Sequence, residues 1–126
     1  MKTLLNYNVM SGILTSLQEN FNNDAMLILP IKVNYAIQRN LKKISEYYET
    51  FEESKIAIGK KYGELIPESN SYKIPPENMA IASKELENLA NMEENIDIKK
   101  ISLADLEDIK LSSKQMASLL FMIEDE

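Results

Sequence analysis

The longest regular pattern in this sequence is a row of positions spaced alternately four and three residues apart. These positions, called the stripe below, are Ile37, Leu41, Ile44, Tyr48, Phe51, Lys55, Ile58, Tyr62 and Leu65. Only Lys55 interrupts their apolar character. Because an α-helix turns once in about 3.6 residues, this spacing keeps one side chain after another on a single narrow face, as in a coiled coil. The stripe predicts a long helix over about 30–65, which Pro67 prevents from continuing.

A second, shorter stripe has the same spacing and predicts a partner for the first. It consists of Met79, Ala82, Leu86 and Leu89. We expect a return helix over about 76–92 that packs antiparallel on the long helix, so that both stripes are buried. The first stripe would be about 42 Å long, at a rise of about 1.5 Å per residue. The return helix is too short to cover it, so part of the stripe should meet another surface.

The N-terminal third of the chain has shorter patterns. Residues 2–7 fit a short strand, and Asn8 is a candidate N-cap for the helix that follows. That helix should bury residues at four-residue steps, namely Val9, Ile13, Leu17 and Phe21. The apolar run 25–29, which stops at Pro30, fits either a buried strand or the lead-in to the long helix.

The C-terminal third combines a strand pattern with two capping boxes. Ile96 and Ile98 alternate with charged residues, which predicts a half-exposed strand over about 95–101. Ser102 precedes Asp105 by three residues, and Ser112 precedes Gln115 in the same way, so each serine should begin a helix. We predict a short helix near 103–109 and a final one over about 113–123. The apolar residues expected to face inward from the final helix are Met116, Leu119, Leu120 and Ile123.

Together these patterns predict a mainly α fold with minor β structure. The architecture we expect is an elongated antiparallel helical hairpin built on one long helix, with a small base of short strands and short helices. No composition break or repeat divides the 126 residues, so we expect a single domain, 1–126.

Composition removes several classes of function. The chain has no cysteine and no histidine, which excludes Ser–His and Cys–His nucleophilic pairs and most zinc sites. Its net charge is −6, and Arg39 is its single arginine, so direct nucleic-acid binding is not expected. Because no apolar run approaches the roughly 20 residues of a membrane span, we expect no membrane association and a cytoplasmic location.

Candidate chemistry is weak. The adjacent carboxylates Glu52–Glu53 and Glu93–Glu94 leave a carboxylate-only metal site open, but each pair fits a solvated acidic face better. The segment 58–63 lacks the earlier glycine and the Ser or Thr of a phosphate loop. We therefore predict no catalytic residue, no metal site and no cofactor.

The second half of the stripe, together with the flanking Tyr47, supplies the candidate interaction surface. It consists of Tyr47, Lys55, Ile58, Tyr62 and Leu65. Tyrosine is enriched at protein interfaces, although Tyr48 and Tyr62 fit the edge of a core better, and Tyr47 fits either place equally. Lys55 fits a snorkelling side chain or a residue that fixes the register of a helical oligomer. Most simply, it marks the point where the stripe leaves the core.

Several segments together resemble a family of small uncharacterised proteins from tailed phages and prophages of Gram-positive bacteria. These segments are Leu29–Val33, Tyr35–Ile37, Asn40–Lys43, Lys61–Glu64, Glu94–Ile98, Leu103–Glu107 and Phe121–Glu124. The resemblance extends from about Leu4 to Ile123, and its motifs are of a scaffold type. It implies a phage origin and expression inside the bacterial host cell, and it implies no activity for particular residues.

Two functions of different classes fit these observations. The first is a non-enzymatic phage or prophage accessory protein that acts through protein–protein contacts, as a homo-oligomer or with another phage or host protein. The alternative is a phage counter-defence protein that binds a host immune factor or sequesters a small nucleotide signal. In that case its acidic surface would imitate nucleic acid toward a basic host protein. A carboxylate-only metalloenzyme has the least support.

Overall fold

The computed structural model describes residues 2–22 and 28–124, in which helices dominate and the strands are short. In chain order the elements are β1 (Lys2–Asn6), α1 (Tyr7–Asn20), α2 (Ile31–Tyr62), β2 (Glu64–Ile66), β3 (Ser71–Lys73), α3 (Pro76–Ala90), β4 (Glu93–Asp97), β5 (Ile101–Ser102), α4 (Ser113–Leu119) and β6 (Ile123–Glu124). Single 3₁₀ turns lie at Leu103–Leu106 and Leu120–Met122. The mainly α class with minor β structure is thus confirmed.

The long helix α2 begins after Pro30 and ends at Tyr62. Its 32 residues make it about 48 Å long. The predicted end near Leu65 is wrong, because Gly63 adopts an extended conformation with φ of −120° and ψ of 175°. Leu65 therefore belongs to β2, where it lies opposite Tyr72 of β3.

One face of α2 is buried, and it differs slightly from the stripe. The buried residues of α2 are Val33, Ala36, Ile37, Asn40, Ile44 and Phe51. Leu41 and Tyr48 are only half-buried, at the edge of this face. A strict seven-residue repeat drifts by about 20° per heptad on a straight helix, which turns parts of the stripe away from the centre of the core. After Phe51, α2 has no buried residue.

Helix α1 begins two residues earlier than predicted. Its N-cap is Asn6, whose side-chain oxygen accepts a hydrogen bond from the Val9 N–H at 2.9 Å, so the prediction of Asn8 is wrong. Val9 is 46% exposed, and the residues that are buried are Met10, Leu14, Leu17 and Phe21. Because each four-residue step advances about 40° around a helix, a row of strict four-residue steps cannot stay on one face.

The described residues form three two-stranded pairs, two of which join distant parts of the chain. β1 pairs antiparallel with β4, from Lys2 opposite Asp97 to Asn6 opposite Glu93. β5 pairs in parallel with β6, and β2 pairs antiparallel with β3. The single strand predicted over about 95–101 is thus two strands with different partners, separated by residues 98–100. Buried Ile96, Ile98 and Ile101 join the core from this region.

Both predicted capping boxes are present, at Ser102 and Ser112. The helices they start are shorter than expected: the first is one 3₁₀ turn, and α4 ends at Leu119 rather than near residue 123. Beyond Leu119 the chain tightens into a 3₁₀ turn and then pairs as β6, so α-helical spacing no longer applies. As a result Leu120 is 63% exposed, so the prediction that it faces inward is wrong, and Met122 is buried instead.

The structure describes only the end of the apolar run 25–29. Residues 25–27 of the apolar run before Pro30 lie outside the described residues, so the choice between strand and lead-in stays open for them. Leu29 itself is buried. None of the helices within residues 2–22 and 28–124 is long and apolar enough to cross a bilayer.

The β2–β3 pair, called the ribbon below, rests on a flat patch at the end of α2. Gly59 and Gly63 lie four residues apart, and a Cβ on Gly59 would lie 3.2 Å from the Tyr72 ring. A Cβ on Gly63 would lie 2.7 Å from the Gly59 carbonyl oxygen and 3.0 Å from the Lys73 carbonyl oxygen. Glycine at 63 therefore permits the ribbon to approach α2 closely.

The glycines give a matched test of this packing. We expect Gly63→Ala to lower the free energy of unfolding by about 1–3 kcal/mol, because the new methyl group meets backbone atoms. Gly12→Ala is the control: apart from its chain neighbours and the backbone of its own helix, no atom lies within 4 Å of a Cβ at Gly12, inside α1. That change should raise stability by about 0.5–1 kcal/mol. Urea denaturation measures both, and equal effects of the two substitutions would contradict the close approach.

Candidate interaction surface

A cluster of aromatic and charged side chains ties the start of α1 to the middle of α2. The ring of Tyr7 stacks on that of Tyr48 with centroids 5.1 Å apart, and it meets Phe51 edge-on at 5.7 Å. The Tyr7 hydroxyl donates a hydrogen bond to Glu52 and lies 3.3 Å from the Tyr48 hydroxyl. The ammonium of Lys55 lies 6.0 Å from the Tyr7 ring centroid. This cluster closes the core at the last buried turn of α2.

Electrostatics inside the cluster follow from its hydrogen bonds. The Tyr7 hydroxyl holds the pKa of the Glu52 carboxyl below its ordinary value of 4.5. The same hydrogen bond to Glu52, together with that to Tyr48, raises the pKa of the Tyr7 hydroxyl above its ordinary value of 10.0. Both shifts favour one state, a neutral phenol that donates to a charged carboxylate.

Beyond the cluster a groove of about 510 Å³ lies between α2, β3 and α3. Its lining is mainly apolar, with Ile58 from α2, Tyr72 from β3 and Leu86 from α3. Lys55 lies at the groove and also lines a smaller cavity of about 190 Å³ beside Tyr7. Grooves of this size and apolar character are typical of places where a ligand or a partner side chain binds.

Tyr62 fastens the start of α3 to the end of α2. Its hydroxyl donates to Glu85 Oε1 at 2.7 Å, and its carbonyl oxygen accepts from Asn78 Nδ2 at 2.9 Å. The ammonium of Lys61 lies 5.0 Å from the Tyr62 ring centroid. Tyr62 is therefore half-buried and engaged within the chain, while its neighbours beyond Gly63 are exposed.

The region formed by the last two turns of α2, the ribbon and the first two turns of α3 is called the distal end below. Every residue of β2 is exposed, and so are Ser71 and Lys73 of β3. The large apolar side chains that are exposed here are Ile56, Leu65, Ile66, Met79 and Ile81. The distal end therefore combines exposed strand edges with exposed apolar side chains.

The five residues of the predicted interaction surface occupy three different environments. Lys55 and Ile58 line the groove. Tyr62 and Leu65 lie at the distal end outside the groove lining, with Leu65 52% exposed on the ribbon. Tyr47 lies further back on α2, where it packs against the core.

Sequence reasoning missed the groove residues that come from outside the long helix. Tyr72 and Leu86 complete its wall. The signal that could have found Tyr72 is the four-residue spacing of Gly59 and Gly63, because two glycines at that spacing leave a flat helix face that an aromatic ring can cover. Ile56 also lines the groove, although it lies off the stripe.

Within residues 2–22 and 28–124, no three Asp, Glu, His or Cys side chains are grouped so that they could hold a metal ion. The fold and surface thus define a mainly α protein with a partly covered helical end. No known protein family, curated protein or solved structure matches this chain. What the surface does must therefore be argued from its own residues.

The Tyr7 cluster predicts a stability difference that depends on pH. Tyr7→Phe keeps the ring contacts and removes the hydroxyl, so we expect the free energy of unfolding to fall by about 1 kcal/mol near neutral pH. Glu52 has a lowered pKa when folded, so its contribution is present above pH 4.5 and is lost as pH falls through the folded pKa. Tyr7 has a raised pKa, so its contribution is present below pH 10.0 and fades at higher pH.

Urea denaturation of both proteins across this pH range measures the difference, which should be largest between the two ordinary pKa values. Tyr35→Phe serves as the control, because the Tyr35 side chain is exposed on α2. It should change stability by less than about 0.5 kcal/mol at any pH. A constant difference between wild type and Tyr7→Phe from acid to alkaline pH would contradict the hydrogen bond to Glu52.

Proposed function

We propose that this protein is a non-enzymatic phage or prophage accessory protein that acts through protein contacts inside the bacterial host cell. We propose further that it self-associates through the distal end. The observation that carries this proposal is the exposure of Leu65, Ile66 and Met79 beside a ribbon with which no third strand pairs among the described residues. The sequence resemblance to phage and prophage proteins supports a phage origin and a role inside the bacterial host cell.

The proposed architecture is an antiparallel hairpin of α2 and α3. Contacts at both ends of α3 support it: Asn78, in the first turn of α3, bonds to the last residue of α2, and Leu89, in its last turn, lines a cavity with Lys55 and Tyr7. Because α3 has 15 residues and α2 has 32, the return helix covers only part of its partner. The distal end is the part that a second molecule would cover.

The ribbon supports an association through strand edges. An isolated pair of three-residue strands is marginal in water, and an exposed edge offers unpaired backbone groups to another chain. Among the described residues no third strand pairs with the ribbon, and Leu65 and Ile66 of β2 are exposed. Pairing of two ribbons, with these side chains packed between them, would satisfy both the backbone groups and the apolar surface.

The charges of the distal end suit a second copy of the same chain. A twofold interface brings one patch against itself, so a patch of one sign would repel its copy and a patch of both signs can pair. The exposed charged residues at this end are Lys60, Lys61, Lys73, Glu64, Glu68 and Glu77. Three cations and three anions make the patch self-complementary in principle. The counter-defence alternative stays a prediction, and no observation at the distal end favours it.

Sedimentation velocity across low to high micromolar concentrations tests the self-association. We expect the wild-type protein to form a larger species as concentration rises. Replacing Ile66 by Glu places a charge in the proposed contact, and it should raise the dissociation constant of the oligomer at least about tenfold. A wild-type protein that remains a monomer at high micromolar concentration would sink the proposal.

Leu120→Glu is the matched control, because Leu120 is 63% exposed and lies on the C-terminal 3₁₀ turn. It introduces the same charge on an apolar surface position that the proposal does not use. It should leave the sedimentation profile unchanged. Equal weakening by Leu120→Glu and Ile66→Glu would mean that general charge repulsion, rather than the distal end, controls association.

A further inference from the structure

A second groove, of about 540 Å³, lies near the beginning of α2. It is called the basic groove below, because four cationic side chains line it: Lys32, Arg39, Lys99 and Lys100. Two carboxylates, Asp97 and Glu124, also line it. In a chain with net charge −6, an excess of cations in one concave place is a departure from the average surface. The chain's single arginine is part of it.

Three of the four cations of the basic groove contact an oxygen of the same chain. Arg39 Nη2 lies 3.1 Å from Asp97 Oδ2. Lys32 Nζ lies 3.2 Å from Asp105 Oδ1, and Lys100 Nζ donates to the Phe121 carbonyl oxygen at 2.7 Å. A guanidinium has five N–H donors and an ammonium has three, so each of these groups has donors beyond the contact described.

A buried asparagine fixes the backbone of Lys99, one of the residues that line the groove. Asn40 is 0% exposed within the apolar face of α2. Its Oδ1 accepts from the Lys99 N–H at 2.8 Å, and its Nδ2 donates to the Lys99 carbonyl oxygen at 3.0 Å. Lys99 lies between β4 and β5 and belongs to neither ladder. Asn40 therefore supplies the two backbone hydrogen bonds that a strand partner would have made.

This arrangement has a consequence for the Lys99 side chain. Burying an amide in an apolar core is unfavourable unless its hydrogen bonds are made, and here they hold one residue, Lys99, in one backbone conformation. The two hydrogen bonds from Asn40 thus fix the backbone position from which the Lys99 side chain joins the groove lining. A cation on a fixed backbone loses less entropy when it binds an anion than one on a mobile loop.

An exposed aromatic ring stands beside these cations. Tyr35 lines the same groove, one turn from Arg39 on α2, and it is 59% exposed. A tyrosine face stacks on planar ring systems, and its exposure leaves that face accessible. The volume of the groove is within the range of about 300–1,000 Å³ that is usual for small-molecule sites.

We propose that the basic groove binds a small phosphorylated compound that carries a planar ring, a ligand of the nucleotide class. Lys99, Arg39 and Lys100 contact its phosphate groups, and Tyr35 stacks on its ring. This site lies at the opposite end of α2 from the distal end, so it is independent of the proposed self-association.

Isothermal titration calorimetry of the full chain tests the proposal with three probes: ADP, pyrophosphate and adenosine. We expect ADP to bind, pyrophosphate to bind more weakly, and adenosine to show no heat of binding at the same concentrations. ADP affinity should fall as the NaCl concentration rises, because the phosphate contacts are electrostatic. Absence of binding by both ADP and pyrophosphate at millimolar concentration overturns the proposal.

Two variants separate the phosphate contacts from the ring contact. Lys99→Ala removes a cation and keeps the backbone groups that Asn40 holds, so it should fold normally and lower the affinity for ADP and pyrophosphate at least about tenfold. Tyr35→Ala should lower the affinity for ADP and leave that for pyrophosphate unchanged. Equal affinity of wild type for ADP and pyrophosphate would overturn the role of Tyr35.

Lys42→Ala is the matched control for charge. Lys42 is exposed on α2, does not line the basic groove, and loses the same single charge when replaced. Its ADP affinity should equal that of wild type. If Lys42→Ala and Lys99→Ala weaken binding to the same extent, the effect is one of net charge and the site assignment is overturned. Thermal melting of each variant confirms that the fold is kept.

Discussion

A helix of 32 residues cannot fold back on itself, so segments from elsewhere in the chain must cover its apolar face. In α2 this requirement organises the other elements. Helix α1 precedes it, β4 and the C-terminal segments follow it, and all of them contribute to one core with residues of α2. The buried residues of α2 extend as far as Phe51, and none follows from there to Tyr62. The part of α2 up to Phe51 thus packs into the core, while the part from there to Tyr62 lies at the surface.

Two polar side chains among the described residues, Asn40 and Ser118, are buried, and each joins one of the first two helices to the C-terminal part of the chain. Asn40 holds the backbone at Lys99, and Ser118 lies 2.7 Å from the Ser16 hydroxyl, between α4 and α1. The cost of burying these groups is offset because their hydrogen bonds are made, and the two bonds named here join residues far apart in sequence. They fix where the short C-terminal elements lie against the helices, and thereby the shape of the basic groove.

The sequence allowed the helices to be predicted far better than their faces. Both capping boxes and the helix-breaking role of the region after Tyr62 depend on local chemistry, which a sequence displays directly. The exposed position of Val9 and the burial of Met10 depend on the rotation of α1, which its attachment to β1 decides. Asn40 was missed because a polar residue beside an apolar stripe is ordinarily assigned to solvent, and only the loop at Lys99 explains its burial.

The residues of the candidate interaction surface also fall into two groups, those that the sequence predicts and those that it does not. Lys55 and Ile58 could be selected because they continue a helical repeat, and both line the groove. Tyr72 and Leu86 reach it from other elements, so no repeat within α2 could indicate them. The basic groove was beyond prediction for a related reason: Arg39 and Lys99 are 60 residues apart in the chain, and the antiparallel pairing of β1 and β4 helps to determine where residues after Asp97 lie.

The pairing of β1 with β4 also sets an order of events during synthesis. Lys2 is translated 95 residues before its partner Asp97. At about 5–20 residues per second, β1 waits roughly 5–20 s without a partner. Helices form within about a microsecond, so α1 and α2 can form while the core still lacks β4. During that interval the nascent chain exposes its apolar helix faces, and we expect it to be the form most sensitive to chaperones and proteases.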